Sequence, residues 1–180
     1  AAILGLDDDA VGELCDRAAQ GQIVSPVNFN APGQVVIAGH SEAVERTIGL
    51  AKEAGVRKAM VLPVSVPVHC ALMREPGERL LPSIDALSLS EPSIPIVHDV
   101  DVATHASVDE IRAVLRPHVF SPVPWTRTVQ STAAQGIDTL VECGAGRVLT
   151  GLVKRIDKNV TIHPIFDETS VAKAIGAIKG

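Results

Sequence analysis

The sequence has no tyrosine, and one tryptophan with three phenylalanines brings aromatics to only 2% of its 180 residues. Apolar burial therefore falls to Val, Ile, Leu and Ala, the residues of parallel sheets covered by helices, and the hydrophobic share is 46%. No apolar run approaches the roughly 20 residues that a membrane-crossing helix needs. No basic patch leads into a hydrophobic stretch at the start, so no secretory signal is read and a cytoplasmic location is expected. Cysteine is scarce: Cys15, Cys70 and Cys143 lie far apart and follow no CxxC or Cys/His ligand spacing, so neither a disulfide frame nor a zinc site is indicated. Excess positive charge is also lacking. A net charge of −5 argues against general nucleic-acid binding, which needs a basic face to displace counterions.

What is present reads as α/β. Ala2 to Leu6 is a short apolar strand, Asp7-Asp8-Asp9 supplies capping acceptors, and Ala10 to Gln20 has helical spacing that Gly21 ends. Ile23 to Asn30 and Gln34 to Ala38 are strands joined through Ala31-Pro32-Gly33, a hairpin turn. Ser41 is expected to cap a helix from Glu42 to Ala54, and Lys58 to Val64 follows as a strand. That βαββαβ order is the ferredoxin-like pattern, over residues 1–63.

From 64 to 180 strands and helices alternate with more proline. Helices are expected after His69 to about Leu87 and over Val108 to Leu115, Trp125 to Ala134, Val148 to Ile156 and Ser170 to Ile178. Strands are expected at Ile94 to Val97 (a short buried one), Ile137 to Glu142 and Val160 to Phe166. So few strands cannot make an open sheet covered on both faces, and this half reads as completing a sheet begun elsewhere. The start, Ala1-Ala2-Ile3-Leu4-Gly5-Leu6, reads as a strand already under way and suggests a fragment.

The richest cluster for chemistry is Val64-Ser65-Val66-Pro67-Val68-His69-Cys70-Ala71-Leu72-Met73, where a histidine follows a strand and precedes a helix. Such loops carry function in α/β folds, although a histidine there also serves as a cap or a core residue. Gly39-His40-Ser41-Glu42-Ala43 imitates a nucleophile elbow but lacks its second glycine, so Ser41 reads as a helix cap. Gly144-Ala145-Gly146 has Leu149 where a dinucleotide loop needs glycine, and reads as a tight turn. His98, Asp99, Asp101 and His105 fit no standard metal spacing and read as a solvated loop.

The His69 segment resembles that of malonyl-CoA:acyl-carrier-protein transacylases around their general-base histidine. The run Ser25-Pro26-Val27-Asn28-Phe29-Asn30-Ala31-Pro32-Gly33-Gln34-Val35-Val36-Ile37-Ala38-Gly39 resembles the family's hairpin. Pro122-Val123-Pro124-Trp125 resembles its proline-tryptophan segment, and Glu142-Cys143-Gly144-Ala145-Gly146-Arg147-Val148-Leu149-Thr150-Gly151-Leu152 its glycine turn into a helix. These stretches follow the family's order across essentially the whole chain.

The resemblance implies a ferredoxin-like subdomain over 1–63 and, over 64–180, the C-terminal part of an α/β-hydrolase-like core. It implies that malonyl moves from malonyl-CoA to the phosphopantetheine thiol of acyl carrier protein by a Ser/His ping-pong cycle, with no bound cofactor. His69 is then the base, oriented by a backbone carbonyl at His118, where many relatives carry glutamine; an exposed loop histidine is the alternative there. Asn28 and Asn30 match asparagines lining the cleft, Asn30 the more substrate-facing of them, or else serve as turn residues. Val68 lies where related acyltransferases vary with the acyl group. Lys154 and Arg155, with Lys158, or Arg57 and Lys58, are candidates for docking the acidic carrier. The family's serine, malonyl-binding arginine and oxyanion glutamine all lie upstream, so the partners also include the missing N-terminal part, and this chain by itself is expected to be silent. The alternatives are a non-catalytic module that binds a carrier or partner protein and, more remotely, a metal-dependent hydrolase built on the His98 region.

Overall fold

The computed structural model describes residues 1–179. The chain divides into two compact units, the first from Ala1 to Trp125 and the second from Thr126 onward.

In the first unit the order is β1 (Ala2–Leu4), α1 (Asp8–Ala19), β2 (Val24–Ala31), β3 (Gln34–Gly39), α2 (Ser41–Glu53) and β4 (Lys58–Met60). The strands form one sheet in the order β2-β3-β1-β4 with every pairing antiparallel. The period of two decides what β3 buries. Val35 and Ile37 are fully buried with Ile3 and with the apolar faces of α1 (Val11, Leu14, Cys15, Ala18) and α2 (Ala43, Ile48, Ala51). Each such aliphatic side chain contributes about 1.5–3 kcal/mol by leaving water. Val36 and Ala38, pointing the other way, line a groove of about 390 Å³ together with Asn28 and the Val64–Val68 segment.

Several sequence expectations change here. The strand expected to reach Val64 ends at Met60, because its ladder partner β1 is only three residues long. The helical stretch expected after His69 opens as a 3₁₀ turn over Ala71–Met73 and continues as α3 over Arg74–Asp85, ending two residues short of Leu87. Pro76 falls in the first turn of α3, where a missing N–H costs nothing, and His69 stays outside with its own N–H donated to the Val119 carbonyl at 2.8 Å. The cap of α2 is His40 rather than Ser41, which is already the first helical residue.

The buried strand expected at Ile94 to Val97 shrinks to a two-residue pairing, β5 (Val97–His98) with β6 (Ala103–Thr104), and leaves Ile94 74% exposed. Pro95 removes an N–H where the ladder would need one. Helix α4 (Val108–Leu115) starts at a capping box between Ser107 and Glu110 and covers the expected residues.

The second unit holds most of α5 (Trp125–Ala134), then β7 (Thr139–Cys143), α6 (Val148–Ile156), β8 (Thr161–Ile165) and α7 (Glu168–Lys179). β7 and β8 are parallel, with α6 as the crossover between them. Two strands were the minimum expected, and Val141, Ile175 and Ile178 remain exposed. Among the described residues no helix is long and apolar enough to cross a membrane.

Candidate functional site

His69 sits between the groove-lining Val64–Val68 segment and α3 with a backbone φ of +68°, a left-handed conformation seldom taken by residues other than glycine. That turn aims its ring at the 3₁₀ turn His118–Phe120. Nδ1 lies 3.1 Å from the carbonyl oxygen of His118 and 3.1 Å from that of Ser121. A carbonyl only accepts, so both contacts require the proton on Nδ1. In the neutral ring Nε2 then carries the lone pair, and that nitrogen is the proton acceptor.

The acceptor turn is held from several sides. Ser121 precedes Pro122 and is extended (φ −103°, ψ 144°), as a residue before proline must be, and this aims its carbonyl. The Val123 N–H donates to the Val27 carbonyl at 2.8 Å and its own carbonyl accepts from the Phe29 N–H at 3.0 Å, stitching the segment to the outer edge of β2. From below, Arg74 lies over the Phe120 ring, and Gly77 lets the turn come close: a Cβ there would stand 2.7 Å from Phe120. The His118 carbonyl is the one that the sequence reading names as orienting the ring. The Ser121 carbonyl is not named there, and its sequence signal is the Ser-Pro dipeptide.

A bulge in β2 between Pro26 and Asn28 turns Val27 and Asn28 together into the groove. Val68 lines the groove too, while Asn30, at a second bulge, is half-buried and outside its lining. Cys70, beside the histidine, is buried, and burial pushes its thiol above the usual range, which disfavours the thiolate. His40 of the elbow look-alike is occupied elsewhere, its Nδ1 accepting from the Ile23 N–H at 2.9 Å. His105 pairs with Asp101 at 2.8 Å and His118 with Asp99 at 3.0 Å. Among the described residues no three His, Cys, Asp or Glu side chains converge as metal ligands.

In the second unit Gly144 and Gly146 have φ of +138° and +115°, so the turn needs glycine there. Glu142 accepts from the N–H groups of Leu149 (2.9 Å) and Thr150 (2.8 Å), filling the α6 N-terminus with a carboxylate where a dinucleotide loop would hold phosphate. Lys154 and Arg155 lie exposed in the last turn of α6, a position that also favours cations through the helix dipole.

No family model matches the chain. Its sequence is 48% identical over 175 residues to the malonyl CoA-acyl carrier protein transacylase of Escherichia coli O157:H7, covering 97% of this chain and 57% of that protein. The Bacillus subtilis protein of the same name is 33% identical over 180 residues, again across 57% of its length. Among solved structures, an acyl carrier protein S-malonyltransferase from Vibrio cholerae superposes with a TM-score of 0.93 at 47% identity, over 96% of this chain and 56% of that one. A complex of a type II PKS acyl-carrier protein with its malonyl-transacylase matches with a TM-score of 0.95 at 45% identity, over 98% of this chain and 57% of that one. The chain thus spans a little over half the length of the relatives it matches.

Proposed function

We propose that this chain, whose curated relatives are malonyl CoA-acyl carrier protein transacylases, is the histidine-bearing portion of such an enzyme. The observation that carries the reading is the pair of carbonyls on His69 Nδ1, which leaves Nε2 as a base in a segment similar to those enzymes throughout.

In this reading the portion of the enzyme beyond this chain supplies a serine. His69 Nε2 takes the serine proton as the hydroxyl oxygen attacks the thioester carbonyl of malonyl-CoA. The imidazolium keeps its Nδ1–H on two carbonyl dipoles, which stabilise the transient positive charge, and its Nε2–H protonates the departing CoA thiolate. The second half runs in reverse: His69 deprotonates the phosphopantetheine thiol of acyl carrier protein, the thiolate takes the malonyl group, and the serine recovers its proton. No bound cofactor is needed.

The all-antiparallel sheet order β2-β3-β1-β4 supports a ferredoxin-like subdomain over 1–63, and the parallel pair with its α6 crossover supports the C-terminal part of an α/β-hydrolase-like core within 64–180. We assign Val68 and Asn28 to the groove wall facing substrate, keep Asn30 as a substrate contact, and assign Lys154 and Arg155 to carrier docking in the cytoplasm. The test is brief incubation of the enzyme carrying this chain with malonyl-CoA, followed by intact-mass analysis. One malonyl adduct on a serine is expected, and its absence removes the transacylase reading.

A further inference from the structure

The carbonyl of His118 accepts the hydrogen bond of the His69 Nδ1–H, and the side chain of the same residue is tied down independently. His118 Nε2 lies 3.0 Å from Asp99 Oδ1, with Asp99 one-third exposed and His118 somewhat more. A carboxylate only accepts, so this contact places the His118 proton on Nε2. The two imidazoles meet edge to face with centroids 5.7 Å apart. Asp99 belongs to the tight β5–β6 hairpin, whose Val102 is held at φ +60° with its N–H on the His98 carbonyl at 2.9 Å. A β-branched residue in the left-handed region is strained, and the hairpin keeps that conformation where it presents Asp99 to His118.

We propose that Asp99 is a positioning residue for His69, acting through His118: its carboxylate fixes the His118 side chain and thereby the direction of the His118 carbonyl that selects the His69 tautomer. The importance of that tautomer for catalysis rests on the transacylase reading; the coupling itself does not. Removing the carboxylate frees one end of the turn while the Val123 stitching to β2 holds the other, so the Ser121 carbonyl is left as the main acceptor. Asp101 sits in the same hairpin but faces His105 and the Ala103 N–H, and serves as the internal control.

The test is ¹⁵N NMR of the imidazole nitrogens of His69 in this chain, near neutral to mildly alkaline pH, with assignment by His69→Gln. Asp99→Ala is expected to raise the share of the Nε2–H tautomer about fivefold, the equilibrium factor of one net hydrogen bond. His118→Ala should do the same, and the double variant no more than either alone, because both remove one interaction. Asp99→Asn and His118→Gln, which keep an acceptor and a donor in place, should restore the wild-type pattern. Asp101→Ala should leave it unchanged. If Asp99→Ala does not fold, His118→Ala carries the measurement from the other side of the pair. An unchanged His69 spectrum in the folded Ala variants, or an equal change in Asp101→Ala, overturns the proposal. Failure of malonyl-CoA to label a serine would instead strike the transacylase reading and leave this coupling standing.

Discussion

Nδ1 of His69 stands 3.1 Å from the carbonyl oxygen of Ser121, a contact across 52 residues of sequence that, with the His118 carbonyl, decides which ring nitrogen is basic. On the proposed transacylase reading, replacing His69 with Ala in the enzyme carrying this chain should slow acylation by malonyl-CoA by about 100-fold or more, the usual contribution of a general base. A rapid-quench acylation rate within a few fold of wild type would sink the assignment.

Val123 ties the acceptor turn to β2 through its N–H on the Val27 carbonyl. Val123→Pro deletes that donor, and a shift of the carbonyls by a fraction of an ångström should slow acylation by about 10-fold or more with little change in the affinity for malonyl-CoA. An effect confined to KM would place the role of this segment in substrate binding.

Gly39 has no room for a side chain, because a Cβ there would run into the Ile23 carbonyl oxygen, a backbone atom that cannot swing away. Gly39→Ala should cost about 1–3 kcal/mol, the range for overpacking, read as a lower urea midpoint. An unchanged midpoint would mean that the hairpin end adjusts freely.

The three thiols should separate by reactivity. Burial, with help from Asp16, pushes Cys15 up to about 12, and burial raises Cys70 as well, whereas Cys143 is exposed. A native chain should therefore react with a thiol reagent at one site quickly and at three only after denaturation. Because the folded Cys15 holds its proton above the unfolded value of 9.0, its contribution to stability is present below pH 9 and lost as pH rises towards about 12. Cys15→Val should soften that alkaline loss, and an identical alkaline profile would count against the assignment.

Glu142 behaves in the opposite sense. Desolvation raises its pKa, but hydrogen bonds from the Thr150 hydroxyl and from the Thr150 and Leu149 amides outweigh it and hold the carboxyl below 4.5. Its contribution is thus present above the unfolded carboxylate pKa and lost on acidification through the lower folded one. Glu142→Gln should flatten the acid limb of stability against pH, measured by denaturation at several pH values. A parallel limb would place the cap outside the cooperative unit.

Much of the local structure was legible in the chain because its causes are local. Helices α4, α5 and α6 span the residues that periodicity and capping predicted, and the Ala31-Pro32-Gly33 turn joins β2 to β3 as expected. Local signals misled where a distant partner had the deciding vote. Ser41 has the chemistry of a cap, yet His40 took that position because its ring and N–H bond to the Ile23 backbone across the sheet end. The apolar run Ile94 to Val97 has the composition of a buried strand, but Pro95 and a partner strand of only two residues, β6, leave Val97 alone of the run in a ladder.

By itself the sequence determined that His69 follows an apolar strand-like stretch and precedes a helix, and its order of motifs resembled that of an acyl-transfer family. Only the tertiary structure decided how the histidine ring is held. Which nitrogen carries the proton depends on carbonyl oxygens at positions 118 and 121, and a carbonyl has no residue identity for a sequence to reveal. Its direction comes from Pro122, from the β2 edge that holds Val123 and from the helix under Phe120, elements joined only when the chain folds.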